Sequence, residues 1–196
     1  YGFEKEPTLL DSVKDGADII TASGDKLIGA AQAGIILGST DLIKRIRKNQ
    51  FARIVRVDKM TLTVLEATLK LFFNNETAKQ RVPTLRMLLR SYDDIRKQAQ
   101  RIAAKLQKAK LSCSINTLDG FSQTGSGSLP AQNLPTRLIA VQSDAVSSVV
   151  LANRLRHYAV PVFTRIQDDR ILIDPRTLLE GDEKIIIDAF TEILAS

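Results

Sequence analysis

The chain has one cysteine, Cys113, and one histidine, His157, in 196 residues. A lone cysteine cannot close an internal disulfide, and with a lone histidine the usual Cys/His zinc sites cannot be assembled. No metal site is expected, and a reducing, cytoplasmic setting fits. No stretch approaches the roughly 18 uninterrupted apolar residues of a membrane-spanning helix. No basic segment followed by an apolar run opens the chain, as a secretory signal would. Internal repeats and low-complexity tracts are also missing. So is an initiator methionine: the sequence opens Tyr1-Gly2-Phe3, which suggests an engineered piece, a processed product or a fragment of something longer.

What is present is ordinary in bulk and uneven in detail. Hydrophobic residues make up 44% and charged residues 26%, the balance of a globular protein with a real core. The net charge is +6, but Lys44 to Lys110 carries 18 Lys/Arg against 5 Asp/Glu, and the remainder carries 10 against 17. A block this basic favours a polyanionic partner such as RNA. A well-solvated helical surface is the plainer explanation.

Apolar spacing divides the chain into elements. Glu4 to Gly16 reads as a short helix with Pro7 in its first turn. Ala17 to Ala22 and Ala33 to Gly38 read as strands covered on both faces, with the polar, turn-prone run Ser23 to Gly29 between them. Ser39-Thr40-Asp41 offers a cap for a helix through Lys48, and Thr61 to Phe73 forms another, headed by Thr61 or Asp58. Leu85, Leu88, Tyr92, Ile95, Ala99, Ile102, Leu106 and Ala109 make one apolar stripe, predicting a single long helix packed on a sheet. Strands at Leu111–Thr117 and Arg137–Gln142 flank a Gly/Ser/Pro-rich loop, Gln123 to Pro135. A helix from Ala145 to His157, a hairpin turning at Asp168-Asp169 and an amphipathic helix from Glu183 to Leu194 complete the chain. The expected fold class is α/β, in two units: residues 1–75, the tail of a larger α/β domain, and residues 76–196, a small α+β domain.

Chemistry points to Lys26. A lysine at the end of a strand, in a turn of small residues, can sit in a cleft where desolvation and neighbouring charges tune its amine as a nucleophile toward aldehydes. Asp25 beside it can orient a partner or move a proton. Spacing alone leaves a solvated lysine the commoner outcome. Cys113, among apolar neighbours, reads as a small buried hydrophobe. His157, at a helix end, reads as a cap or surface residue.

The longer run Ser23-Gly24-Asp25-Lys26-Leu27, followed by Gln32-Ala33-Gly34-Ile35-Ile36-Leu37-Gly38, resembles the cofactor-lysine segment of the bacterial selenocysteine synthase (L-seryl-tRNA(Sec) selenium transferase) family. Arg56 to Thr61, Leu65 to Leu69, Pro83 to Leu88, Gly125 to Pro130 with Leu134-Pro135, Val160-Pro161-Val162, Arg165-Ile166 and Arg170 to Thr177 resemble further blocks of that family in the same order. Two departures stand out. Gly29-Ala30-Ala31 occupies the place of Gly-Gly-Pro, and Ala22 the place of an aromatic residue.

The resemblance implies the C-terminal part of a fold type I pyridoxal-phosphate enzyme, with residues 1–75 belonging to the large cofactor domain. It implies that Lys26 holds pyridoxal phosphate, with Ser23 at the cofactor and Asp25 in catalysis, and that Arg53 and Arg56 bind the selenophosphate anion. On a helix or turn their spacing of three would set both guanidinia on one face. The implied activity is a cytoplasmic transferase of selenocysteine biosynthesis. It converts seryl-tRNA(Sec) to selenocysteinyl-tRNA(Sec) through a dehydroalanyl intermediate and works as a homo-oligomer. Parts of the family's cofactor site precede this segment, so the chain alone is expected to hold cofactor weakly and not to turn over. Two other readings stay open: a related pyridoxal-phosphate lyase acting on a small amino acid or amino sugar, and a noncatalytic RNA-binding module built on the basic helices. The Gly125–Pro130 loop is read either as facing the active site or as a plain connection.

Overall fold

The computed structural model describes residues 7–125 and 133–195. Contacts divide the chain into two compact units, the first running to Leu89 and the second from Arg90, with the segment 124–132 grouped with the first. The boundary expected at 75/76 therefore falls inside the first unit. The helices on either side of that point pack together around Ala78, Val82 and Leu85, with Leu71 and Phe72 against them.

In the first unit, α1 (Leu9–Lys14) starts with a capping box in which Thr8 and Asp11 exchange hydrogen bonds. Pro7 thus precedes the cap instead of occupying the first turn. β1 (Ile19–Ser23) and β2 (Gly34–Gly38) pair antiparallel, Ile19 opposite Gly38 and Ser23 opposite Gly34. They are not covered on both faces as expected: Ile19, Ile36 and Leu37 are exposed. A two-stranded ribbon has no neighbours to bury such residues. Then follow α2 (Thr40–Lys48), α3 (Gln50–Ile54) and α4 (Lys59–Leu71). Asp58 caps α4, its carboxylate accepting from the Thr61 amide at 2.9 Å and the Thr61 hydroxyl at 3.0 Å. α5 (Asn75–Arg81) and α6 (Pro83–Leu88) close the unit.

The single helix expected over Leu85–Ala109 is two. α6 stops at Leu88, and α7 (Tyr92–Lys108) restarts behind Ser91, whose hydroxyl oxygen accepts from the Asp94 amide at 3.1 Å. The stripe is split between two cores: Leu85 belongs to the cluster around Val82, whereas Ile95 and its successors lie in the second unit. A cap overrides a period that happens to continue across it.

The second unit is a four-stranded antiparallel sheet in the order β3-β4-β6-β5, from β3 (Cys113–Ser122), β4 (Leu134–Ser143), β5 (Arg165–Gln167) and β6 (Arg170–Ile173). Ile139 faces Ile173 and Val141 faces Ile171 across the central pair. With Ile115 they pack against Ala99, Ile102 and Leu106 of α7, Leu151 and Leu155 of α8 (Ser148–Arg156), and Phe190 of α9 (Asp182–Ala195). The helix-on-sheet expectation for α7 holds. Asp168 and Asp169 join β5 to β6, both with positive φ (49° and 53°), the backbone of a tight turn that follows the twist of a hairpin.

The stems of the β3–β4 hairpin are tied by a buried cation. Arg176, 5% exposed, donates from Nε to Ser122 Oγ at 2.9 Å, from Nη1 to the Arg90 carbonyl at 3.2 Å and from Nη2 to the Pro135 carbonyl at 2.6 Å. Asp174 accepts from the Ser122 hydroxyl at 2.5 Å and the Thr136 hydroxyl at 2.8 Å. The hairpin tip, including most of the Gly125–Pro130 motif, lies outside the described residues.

Candidate active site

The segment between β1 and β2 is a closed loop. Gly24 N–H donates to the Ala33 carbonyl at 2.8 Å, Ala30 N–H to the Gly24 carbonyl at 2.8 Å, and Gly29 N–H to the Lys26 carbonyl at 2.9 Å. Two glycines make this possible. A Cβ on Gly24 would lie 2.9 Å from the Ala31 carbonyl oxygen, and Gly29 has φ +71°, a conformation that side chains disfavour.

Within that loop the side chains of Ser23, Asp25 and Lys26 form a short chain. The Ser23 hydroxyl donates to Asp25 Oδ1 at 2.5 Å, and Lys26 Nζ donates to Asp25 Oδ2 at 3.1 Å. The Ser23 hydroxyl first, and the Lys26 ammonium second, hold the Asp25 carboxyl below the usual carboxylate range. Lys26 is 37% exposed and Asp25 24%, so the amine is reachable yet not free in bulk water. An open cleft of about 530 Å³ surrounds it, lined by Thr21, Ala22, Ser23, Asp25, Lys26, Gln32, Ala33, Gly34 and Val57. Alanine at position 22 and glycine at 34 leave the room that larger side chains would fill.

The structure thus brings Ser23, Asp25 and Lys26 together. It does not put Arg53 or Arg56 in the lining, although Val57, next in sequence to Arg56, reaches it. Arg53 lies in the last turn of α3, and Arg56 follows the Val55 cap, so helical spacing does not set them on a common face. Both are exposed, and among the described residues neither has an ion-pair partner. Gln32 and Thr21 line the cleft without having been assigned a role from sequence. Gln32 stands within a quoted motif, and only the loop closure reveals that its position fronts the lysine.

The two remaining candidates have structural places. Cys113 is half-buried, and burial pushes its thiol up. His157 caps α8, its Nδ1 lying 2.9 Å from the Asn153 carbonyl oxygen.

Known proteins match this architecture over nearly its whole length. A likeness to D-glucosaminate-6-phosphate ammonia-lyase covers 94% of this chain and 46% of that one, with a TM-score of 0.57 and 19% identity. It supports the fold class, a portion of a fold type I α/β enzyme. L-seryl-tRNA(Sec) selenium transferases from Clostridium perfringens and Alkaliphilus metalliredigens are each 42% identical over 193 residues, 98% of this chain. One from Clostridium botulinum is 39% identical over 194 residues. The chain spans about 42% of the length of such relatives. The profile of the L-seryl-tRNA selenium transferase family matches residues 1–179. By that match over residues 1–179 and that identity across nearly its full length, this chain belongs to the L-seryl-tRNA selenium transferase family.

Proposed function

We propose that this chain supplies the lysine-bearing part of a pyridoxal-phosphate enzyme that converts seryl-tRNA(Sec) to selenocysteinyl-tRNA(Sec) with selenophosphate. The observation that carries the reading is the Lys26 amine, paired with Asp25 at 3.1 Å and fronting an open cleft. The residues present fit the aldehyde end of the cofactor: one primary amine, a carboxylate to hold it, and small side chains around it. The cleft falls in the size range of small-molecule sites, about 300–1,000 Å³. The first unit, which carries the lysine loop, is accordingly assigned to the large cofactor domain and the second to a small C-terminal domain.

Pyridoxal phosphate, when bound, supplies an electron sink for bond breaking at the serine Cα. Lys26 would hold the cofactor by its aldehyde end, and its amine, when free, would take the Cα proton of the bound serine. Asp25 keeps the Lys26 amine aimed into the cleft, and Ser23 fixes Asp25. Arg53 and Arg56 are uncommitted guanidinia suited to the selenophosphate oxyanion. The serine hydroxyl would leave Cβ as water, the selenium of selenophosphate would add there with a proton returned to Cα, and hydrolysis of the Se–P bond would release phosphate. The enzyme works in the cytoplasm as a homo-oligomer.

The test is borohydride reduction of the protein with pyridoxal phosphate, followed by peptide mass mapping. A cofactor adduct on Lys26, absent in Lys26→Ala, is expected, with selenium transfer to seryl-tRNA by the full-length enzyme. An adduct confined to other lysines would sink the assignment. An adduct with turnover of a free amino acid or amino sugar, and indifference to RNA, would give the site to a lyase instead.

A further inference from the structure

The basic block divides by its surroundings. In α7, Arg96 pairs with Asp93 at 3.1 Å, Arg101 pairs with Glu183, and Lys105 lies 4.0 Å from Glu183. Much of that charge is neutralised locally. From Lys44 to Lys59 the chain carries seven cations, Lys44, Arg45, Arg47, Lys48, Arg53, Arg56 and Lys59, against one acid, Asp58. Asp58 is occupied in capping α4. All seven cations are exposed, and among the described residues none has an ion-pair partner.

Four of them share one face of α2. At about 100° per residue, Arg47, Lys44, Lys48 and Arg45 fall on one arc, which also takes in Thr40 and Asp41 of the first turn, and Leu42, Ile43 and Ile46 occupy the other side. Those three are partly buried, and Ile43 packs next to Gly38 at the end of β2. The apolar arc fixes the helix to the ribbon, and the cationic arc is left to solvent. Four cations against the single acid Asp41 on a short, anchored helix suit a chain of phosphates, because each phosphate met releases condensed counterions.

We propose that the Lys44/Arg45/Arg47/Lys48 face of α2 is an RNA phosphate-backbone contact, the surface on which the enzyme seats the tRNA whose serine is processed at Lys26. The proposal rests on the function proposed above. Placement supports it. The lysine loop leaves one end of the ribbon and α2 leaves the other, about 17 Å along five residues of strand. At about 3.4 Å per phosphate on a stacked strand, α2 meets phosphates on the order of five nucleotides from the aminoacyl end.

The experiment is binding of a fluorescent tRNA transcript to the protein across a salt series. The compared variants are Lys44→Gln/Arg45→Gln/Arg47→Gln/Lys48→Gln and, on α7 and beyond it, Lys97→Gln/Lys108→Gln/Lys110→Gln. The first variant should lose about 3 in the slope of log affinity against log salt, with the second close to the parent. Replacing the lysines of the α2 face by arginine should keep the slope, which separates charge from misfolding, and circular dichroism should be the same for all. A slope unchanged in the α2 variant, or no tRNA binding by the parent, overturns the proposal. So does polyglutamate displacing tRNA as well as unlabelled tRNA does, which would reassign the face to an acidic protein. The Lys26 adduct is measured on the same samples. An adduct with an unchanged slope removes only the surface; a lost slope without an adduct removes only the catalytic reading.

Discussion

Asp25 sits between two donors, and its behaviour with pH follows from them. Ser23 and Lys26 stabilise its charged form, so its folded pKa lies below 3.8. A depressed carboxyl contributes in full above its unfolded pKa and loses the contribution only as pH falls through the folded value. The Lys26–Asp25 pair should therefore outlast ordinary exposed carboxylates as pH falls, breaking only below their usual titration range. Ser23→Ala should move the Asp25 titration back up toward 3.8 in carbon-detected NMR; an unmoved midpoint would show that the hydroxyl does not hold the carboxylate. At Gly24 the constraint is steric. Gly24→Ala meets a carbonyl oxygen at 2.9 Å, and the loop must shift, at a cost of about 1–3 kcal/mol. The expected readout is a weakened Lys26 adduct in a protein whose second unit melts normally. The proximity of Ser23, Asp25 and Lys26 was readable in the sequence because they lie within one run of four residues. The roles of Gly24 and Gln32 were not, since they depend on hydrogen bonds and a closure that bring positions six to nine residues apart together.

At the scale of elements, local rules carried well where a cap or turn residue declared itself. Asp58 heads α4, and Asp168-Asp169 turns β5 into β6, as their side chains and positions suggest. The long stripe from Leu85 misled because apolar spacing does not reveal which core each residue joins, and Ser91 starts a new helix in its midst. The ribbon misled in another way: apolar strands read as buried, but burial needs neighbours that these two strands do not have in the described structure. Arg176 stands within the Arg170–Thr177 block, but its cluster was not legible there, since its partners come from Arg90, Ser122, Pro135 and, through Ser122, Asp174. Arg176→Met should leave those buried acceptors without their donor and cost about 3 kcal/mol, read as a lowered urea midpoint of the second unit. A loss under about 0.5 kcal/mol would mean the cluster is dispensable.

The two units differ in what holds each together. The second has a continuous core from Ala99 through Phe190, while the cluster of the first is built on three fully buried residues, Ala78, Val82 and Leu85. No residue of α2, α3 or α4 is buried. Stability should follow this division. Amides of β1, β2 and α4 should exchange with deuterium well before those of α7 and β4, and the two groups should not exchange together. A single cooperative exchange class would contradict it. The division also has a chemical sense: the part that carries the lysine loop and the uncompensated cations is the part with the least internal packing.

The open flanks of the β1–β2 ribbon matter for handling the polypeptide. Among the described residues each strand has one partner, and Ile19, Ile36 and Leu37 are exposed in this chain by itself. Bare backbone beside apolar side chains is a template for strand addition, so concentrated preparations should gel or form fibrils seeded at this ribbon. Leu37→Lys should delay the rise in light scattering on storage, while the same change at exposed Leu179, away from any strand, should leave the lag time as it was.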